Sequence, residues 1–138
     1  MPAGRESDTV FATIDFLPTF LEIAGAGYPD KQNGKSIIPL EGISLLPVLK
    51  GGTRKGHDVL CWYWGGSHAA RQGPWKLVWE KTEKRWALYH IGEDRTETND
   101  LSAKHPEKVA ELKKAYEEWR QRTGAPAPKG PRKKAAKK

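Results

Sequence analysis

Residues Leu60–Glu80 read LCWYWGGSHAARQGPWKLVWE, and they hold four of the chain's six tryptophans and its only cysteine. Asp58 to Trp64 is rich in Val, Leu, Tyr and Trp, residue types that suit a pleated, half-buried surface. Gly73-Pro74 is a turn signal between His68–Gln72 and Trp75–Glu80, so the two runs read as a hairpin. In its second arm Trp75, Leu77 and Trp79 alternate with Lys76, Val78 and Glu80. A period of two places the Trp and Leu side chains on one face. After the charged turn Lys81–Lys84, the run Arg85–Ile91 is a further strand with Trp86, Leu88 and His90 on one side. A meander of three or four antiparallel strands follows.

Outward from the sheet, a long helix is expected from Pro106 to about Arg122. Pro106 suits the first helical position, Glu107 the first turn and Gly124 the exit. Val109, Leu112, Tyr116 and Trp119 form its apolar stripe, to be packed on the sheet. Near the other end, TIDFLPTFLEIAGAG reads as a shorter helix with Thr13 as its cap, Pro18 in the first turn and Gly25 at the stop. Its stripe of Ile14, Leu17, Phe20, Leu21 and Ala24 needs a partner surface. Gly27–Gly52 is mostly loop, with one or two helical turns in ISLLPVLKGG between Ser44 and Gly51. The fold class is α+β.

At 138 residues and 37% hydrophobic content, the chain supports one small core built on a few large side chains. The formal net charge is +7, but its location matters. The tail from Pro128 carries six of the 24 Lys/Arg and no acid, leaving 18 basic against 17 acidic residues in the body. The basicity therefore belongs to the tail, and Ala125–Lys138 reads as disordered. No apolar run approaches the ~18–20 residues of a membrane-spanning helix, and MPAGRESDTVFAT does not have the form of an export signal.

One cysteine excludes an internal disulfide and any multi-Cys zinc site. Cys61, between Leu60 and Trp62, has no local base and reads as a packed thiol. Histidines 57, 68, 90 and 105 lack metal-ligand spacing, and no metal site is expected from them. His90 and His105 read as structural. The cluster Asp94, Glu97, Asn99 and Asp100 lacks calcium-loop spacing and suits turns and caps. No catalytic residue is identified. His68, just after Gly65-Gly66 at a strand mouth, is either a solvated turn residue or a cleft-rim substrate contact. Arg71 is expected to anchor the sheet by pairing with an acid such as Glu80 or Asp94. Trp75, Trp86 and Trp119 are expected to be structural. Interleaved aromatic and basic residues also permit a Trp-rich carbohydrate- or nucleic-acid-binding module. The near-neutral body favours the reading as core, with no specific nucleic-acid partner.

Four motifs in order resemble a known family. DTVFATIDFLPTFLEIAGAGYP is similar to S-x-x-D-x-x-P-T-x-L-x-x-A-G, which closes the large domain of sulfatases. EGISLLPVLKGG is similar to their D-G-x-S-L-x-P-x-L-x-G. SHAARQGPWKLV is similar to A-(V/I)-R-x-G-x-W-K-L, and WALYHIGEDRTETNDLS to W-x-L-Y-D-L-x-x-D-x-x-E-x-x-N-L-A. The match is to bacterial arylsulfatases, including those acting on sulfated sugars, and covers the family's C-terminal end from about Asp8 to Ser102. Three positions depart from the pattern: Glu41 stands for Asp, His90 for the Asp of L-Y-D-L, and Trp62–His68 for the usual W-E-H-E-G-N-R.

The resemblance implies a sulfuric ester hydrolase whose chemistry lies in a preceding, absent domain. Formylglycine, made from (C/S)-x-P-x-R, and calcium are expected in a full-length relative and not in this chain. Such a relative is expected to be periplasmic or extracellular. Residues 1–52 then read as the remnant end of the large α/β domain with a connecting loop, 53–124 as the C-terminal subdomain, and 125–138 as the basic tail. The implied partners are the missing N-terminal domain and a sulfate ester, with no membrane. Alone, the chain is expected to be inactive, and its first helix to leave an apolar stripe uncovered.

Overall fold

The computed structural model describes Gly4 and residues 6–129. The chain divides into two compact units, residues 1–57 and 58–138. Within the first unit Arg54 and His57 bond back to Asp15. Most of the basic tail, residues 130–138, lies outside the described residues.

In the first unit a single 3-10 turn, Thr13–Asp15, leads into helix α1, Phe16–Ala24. Thr13 opens the turn rather than capping it. Instead Asp15 Oδ2 reaches back to accept the Ala12 N–H at 3.0 Å. Pro18 sits in the first turn of α1, where its missing N–H costs nothing. Gly25 ends the helix in the left-handed conformation, φ 63°, and Ala26 N–H closes on Leu21 O at 2.9 Å. The one buried side chain of α1 is Thr19. Ile14, Leu17, Phe20 and Ile23 are all exposed, Phe20 to 63%. The stripe read from the sequence is present, and it is uncovered.

A two-residue hairpin, β1 (Lys31–Gln32) and β2 (Lys35–Ser36), turns at Asn33-Gly34. Helix α2, Leu46–Leu49, follows a Ser44 side chain that accepts the Leu46 N–H, and it stops at Gly51. Gly42 is required by close approach. A β-carbon there would lie 1.9 Å from the Ile14 carbonyl oxygen, a backbone atom that cannot swing aside.

The second unit is a four-stranded antiparallel meander of β3 (Leu60–Trp64), β4 (Ser67–Gln72), β5 (Trp75–Glu80) and β6 (Arg85–His90). Helix α3, Pro106–Thr123, completes it, with Gly124 left-handed at its end. The observed α+β architecture matches the one read from the sequence. Register pairs Ala70 with Leu77 and Leu77 with Leu88, lining up one face of small and branched residues. Leu112 and Tyr116 of α3 complete the fully buried cluster on that face. Trp75, Trp86, Trp119, Val109 and Cys61 pack around it, partly buried. Each large ring buried here removes well over 100 Å² from water, so a few residues carry the core.

Candidate functional site

Gly65 and Gly66 connect β3 to β4 in a two-residue turn, with φ of 56° and 89°. Positive φ at both central residues matches the right-handed twist of the strands, and glycine takes it without strain. The tight turn starts β4 at Ser67, so His68 is already a strand residue, opposite Tyr63 and Trp79. It therefore points toward α3. Its side chain is 2% exposed, and Nδ1 lies 2.5 Å from Tyr116 Oη. The ring also sits against Tyr63, Trp86 and Tyr116 at centroid distances of 5.1, 6.5 and 5.5 Å.

The protonation states follow from this setting. Burial, and then the positive charge of Arg120, holds His68 below its ordinary pKa. Burial pushes Tyr116 up to about 12. At neutral pH the bond therefore joins a protonated phenol and a neutral imidazole. His68 is not the solvated turn residue that the sequence allowed. It is a bonded core residue whose ring lies on the floor of a cleft lined also by Tyr63, Gly65, Gly66 and Trp79.

Arg71 is three residues along and projects from the opposite face, as strand alternation requires. It pairs with neither Glu80 nor Asp94. Its Nε donates to the Gly73 carbonyl at 3.0 Å in an exposed setting. Glu80 receives the Tyr89 hydroxyl, and Asp94 is committed to its own loop. Arg71 lines a shallow pocket with Trp62, Ala69, Lys76, Ile91 and Glu97, where Lys76 pairs with Glu97. An exposed guanidinium of this kind holds little stability. Arg71→Ala is expected to cost less than about 1 kcal/mol in urea unfolding, whereas a loss above about 2 kcal/mol would expose a buried partner.

The acidic segment serves turns and caps. Asp94 accepts the Thr98 and Asn99 amides, each at 2.8 Å. Asp100 accepts the amides of Leu88 and Ser102 and pairs with Arg85. Burial alone would raise the Asp100 carboxyl; those amides and the guanidinium outweigh it and bring it down to about 2. His90 and His105 flank the Trp75 ring at 4.8 and 4.9 Å. Burial pushes the Cys61 thiol up to about 12, so it stays protonated at neutral pH.

A buried polar centre in the first unit was missed in the sequence. Asp15 is 0% exposed. It takes the Ile43 amide at 2.8 Å, Arg54 Nη2 at 2.9 Å and His57 Nε2 at 2.7 Å, besides the Ala12 amide. Thr19 Oγ1 donates to the Asp15 carbonyl at 2.6 Å and accepts the Leu45 amide at 2.8 Å. Arg54 also reaches the carbonyls of Ile43 and Val10. The Asp15 carboxylate is paired with Arg54, and its bonds to Ile43, Arg54 and His57 tie the chain after β2 to the start of α1. That arrangement is a structural clamp.

The calcium and formylglycine implied by the resemblance do not fit the residues present. The chain has no (C/S)-x-P-x-R, and Cys61 is followed by Trp62-Tyr63-Trp64. Among the described residues, no group of three His, Cys, Asp or Glu side chains converges as metal ligands. No helix among them is long and apolar enough to cross a membrane.

No protein-family model matches the chain. An uncharacterized sulfatase of Schizosaccharomyces pombe is 30% identical over 112 residues, covering 77% of this chain and 20% of the relative. A sulfatase of Formosa agariphila is 29% identical over 109 residues, covering 68% of this chain and 19% of its own length. The chain thus spans about a fifth of the length of the curated relatives it matches. By fold, a 2-O GAG sulfatase superposes with a TM-score of 0.59 at 22% identity, over 85% of this chain and 27% of that one. A phosphonate monoester hydrolase of Agrobacterium radiobacter superposes with a TM-score of 0.54 at 20% identity, over 90% and 27%. The fold is shared by a sulfatase and a phosphonate monoester hydrolase, and the curated relatives, which are sulfatases, cover most of this chain.

Proposed function

We propose that this chain is the C-terminal part of a formylglycine-dependent sulfatase of the bacterial arylsulfatase type, inactive without the rest of that enzyme. The observation that carries this is the asymmetry of coverage: sulfatase relatives account for 77% of the chain, and the chain for 20% of the relative. Its residues supply a scaffold. The first unit is the end of the large domain, and the bare face of α1, with Leu17, Phe20 and Ile23, is the surface that domain would bury. The second unit is the subdomain that borders the substrate, a sulfate ester of a sugar or an aryl alcohol. The sulfur chemistry comes from groups outside the chain. Formylglycine would supply the attacking oxygen, and calcium would neutralise the sulfuryl oxygens.

Sequencing the DNA upstream of Met1 tests the reading. An in-frame extension encoding (C/S)-x-P-x-R is the expected result. Expression of the longer frame should then give hydrolysis of an aryl sulfate that residues 1–138 alone do not show. A stop codon and promoter immediately before Met1 would overturn it.

A further inference from the structure

We propose that the His68–Tyr116 contact makes the docking of α3 on the sheet sensitive to mild acid, with the imidazole of His68 as the sensor. The contact is a polar pair in a largely apolar seam. His68 of β4, 2% exposed, meets Tyr116 of α3, 1% exposed, at 2.5 Å, while Ala70, Leu77, Leu88 and Leu112 fill the core beside them. Among the described residues the Tyr116 hydroxyl has no other hydrogen-bond partner. A neutral imidazole can leave Nδ1 bare to accept the phenol proton. An imidazolium cannot, because both nitrogens then carry hydrogens, and the phenol proton is left in the seam without an acceptor.

The groups around the ring also disfavour a cation. From β3 come the Tyr63 hydroxyl and the protonated Cys61 thiol, and from β5 and β6 the rings of Trp79 and Trp86. Helix α3 adds Arg120, and Lys81, Lys84 and Lys129 line the same cleft as the imidazole. Glu117, next along α3 from Tyr116, is already bound by Arg120 and Gln121. A proton on His68 would therefore set a cation among cations in a poorly hydrated seam. The other two histidines of the second unit are placed differently. His90 has Glu93 at 3.8 Å and His105 has Glu107 at 3.5 Å, and both side chains are partly exposed. The sign follows from the two environments of His68. The docked chain holds the ring below its ordinary value near 6.5, whereas release of α3 returns it to water and to that value. The released state takes up the proton first. The contact thus contributes its full stability above about pH 6.5 and loses it as the pH falls through the docked value.

Hydrogen exchange of the full 138-residue chain between about pH 7.5 and about pH 5 tests this, read as protection factors so that the intrinsic pH dependence of exchange cancels. Protection of the Leu112 and Tyr116 amides should fall by about three-fold or more across that range, at a slope of up to about ten-fold per pH unit, the limit for uptake of one proton. His68→Gln offers the phenol a carbonyl oxygen and takes up no proton, so it should lose this slope. The imidazole titration followed by two-dimensional NMR reads the same event in the unsubstituted chain, with a His68 midpoint below 6.5 expected. Arg120→Gln removes the neighbouring cation and should move that midpoint upward, which a purely structural histidine has no reason to do. An undiminished slope in His68→Gln would overturn the proposal. A His68 midpoint at or above 6.5 in the unsubstituted chain would overturn it as well, whether or not the variants fold.

Discussion

Asp15→Ala should destabilise the first unit by about 3–5 kcal/mol, a large fraction of what holds a small domain folded. Two features set the size of the effect. Removing the carboxylate leaves Arg54, whose side chain is 3% exposed, as a buried cation without its counter-charge. It also orphans the amides of Ala12 and Ile43 at once. Hydrogen exchange reads this directly, because those two amides and the Leu45 amide on Thr19 report the clamp. All three should lose protection together in the variant, and preserved protection would show that the clamp does not hold the loop. Asp15→Asn keeps an acceptor without the charge and should fall between. Burial by itself would raise the Asp15 carboxyl; the Ala12 and Ile43 amides, Arg54 and His57 bring it down to about 2. A carboxyl depressed on folding contributes stability that is fully present above its ordinary value near 3.8. Exchange protection in the first unit should therefore fall as the pH drops from about 4 toward 2, and the Asp15→Asn variant should not show that slope.

The sheet and α3 were legible in the sequence because their signals are local. Alternation along Trp75–Glu80 and Arg85–His90 specifies a face residue by residue, and the stripe Val109, Leu112, Tyr116, Trp119 specifies the helix side that meets it. The clamp was not legible. Its partners Arg54 and His57 stand 39 and 42 residues from Asp15, in a stretch with no periodicity. The one hint was an acid between Ile14 and Phe16 at the start of an apolar run, where a buried charge must find partners. His68 turned on where the hairpin turn ends. A turn ending at His68 would leave it in solvent; a turn ending at Gly66 buries it. Gly65-Gly66 has the composition of a two-residue hairpin, and that preference was the signal to follow. Of the six tryptophans, four pack in or around the core, and Trp62 and Trp64 remain exposed on β3, Trp64 to 85%. That distribution weighs against a face of stacked rings, since a sequence rich in Trp had allowed either arrangement.

Tyr116→Ala is the second large effect, and it falls on the junction of α3 with the sheet. Tyr116 is 1% exposed and is among the largest fully buried side chains. Its ring lies 5.5 Å from both Trp86 on β6 and His68 on β4, so it links α3 to two strands. Truncation removes the ring, opens a cavity lined by aromatic groups that cannot collapse, and strands His68 Nδ1. A loss of about 3–5 kcal/mol is expected. Tyr116→Phe separates the two contributions. It keeps the packing and deletes only the hydroxyl, so it should cost about 1–3 kcal/mol, the penalty for a buried polar atom left unpaired. Tryptophan fluorescence during urea unfolding measures both, because Trp86 and Trp119 report the environment that Tyr116 fills. Equal midpoints for Tyr116→Phe and the parent would mean that the His68 bond is replaced by another donor. Equal midpoints for Tyr116→Ala would mean that α3 does not dock through this ring at all.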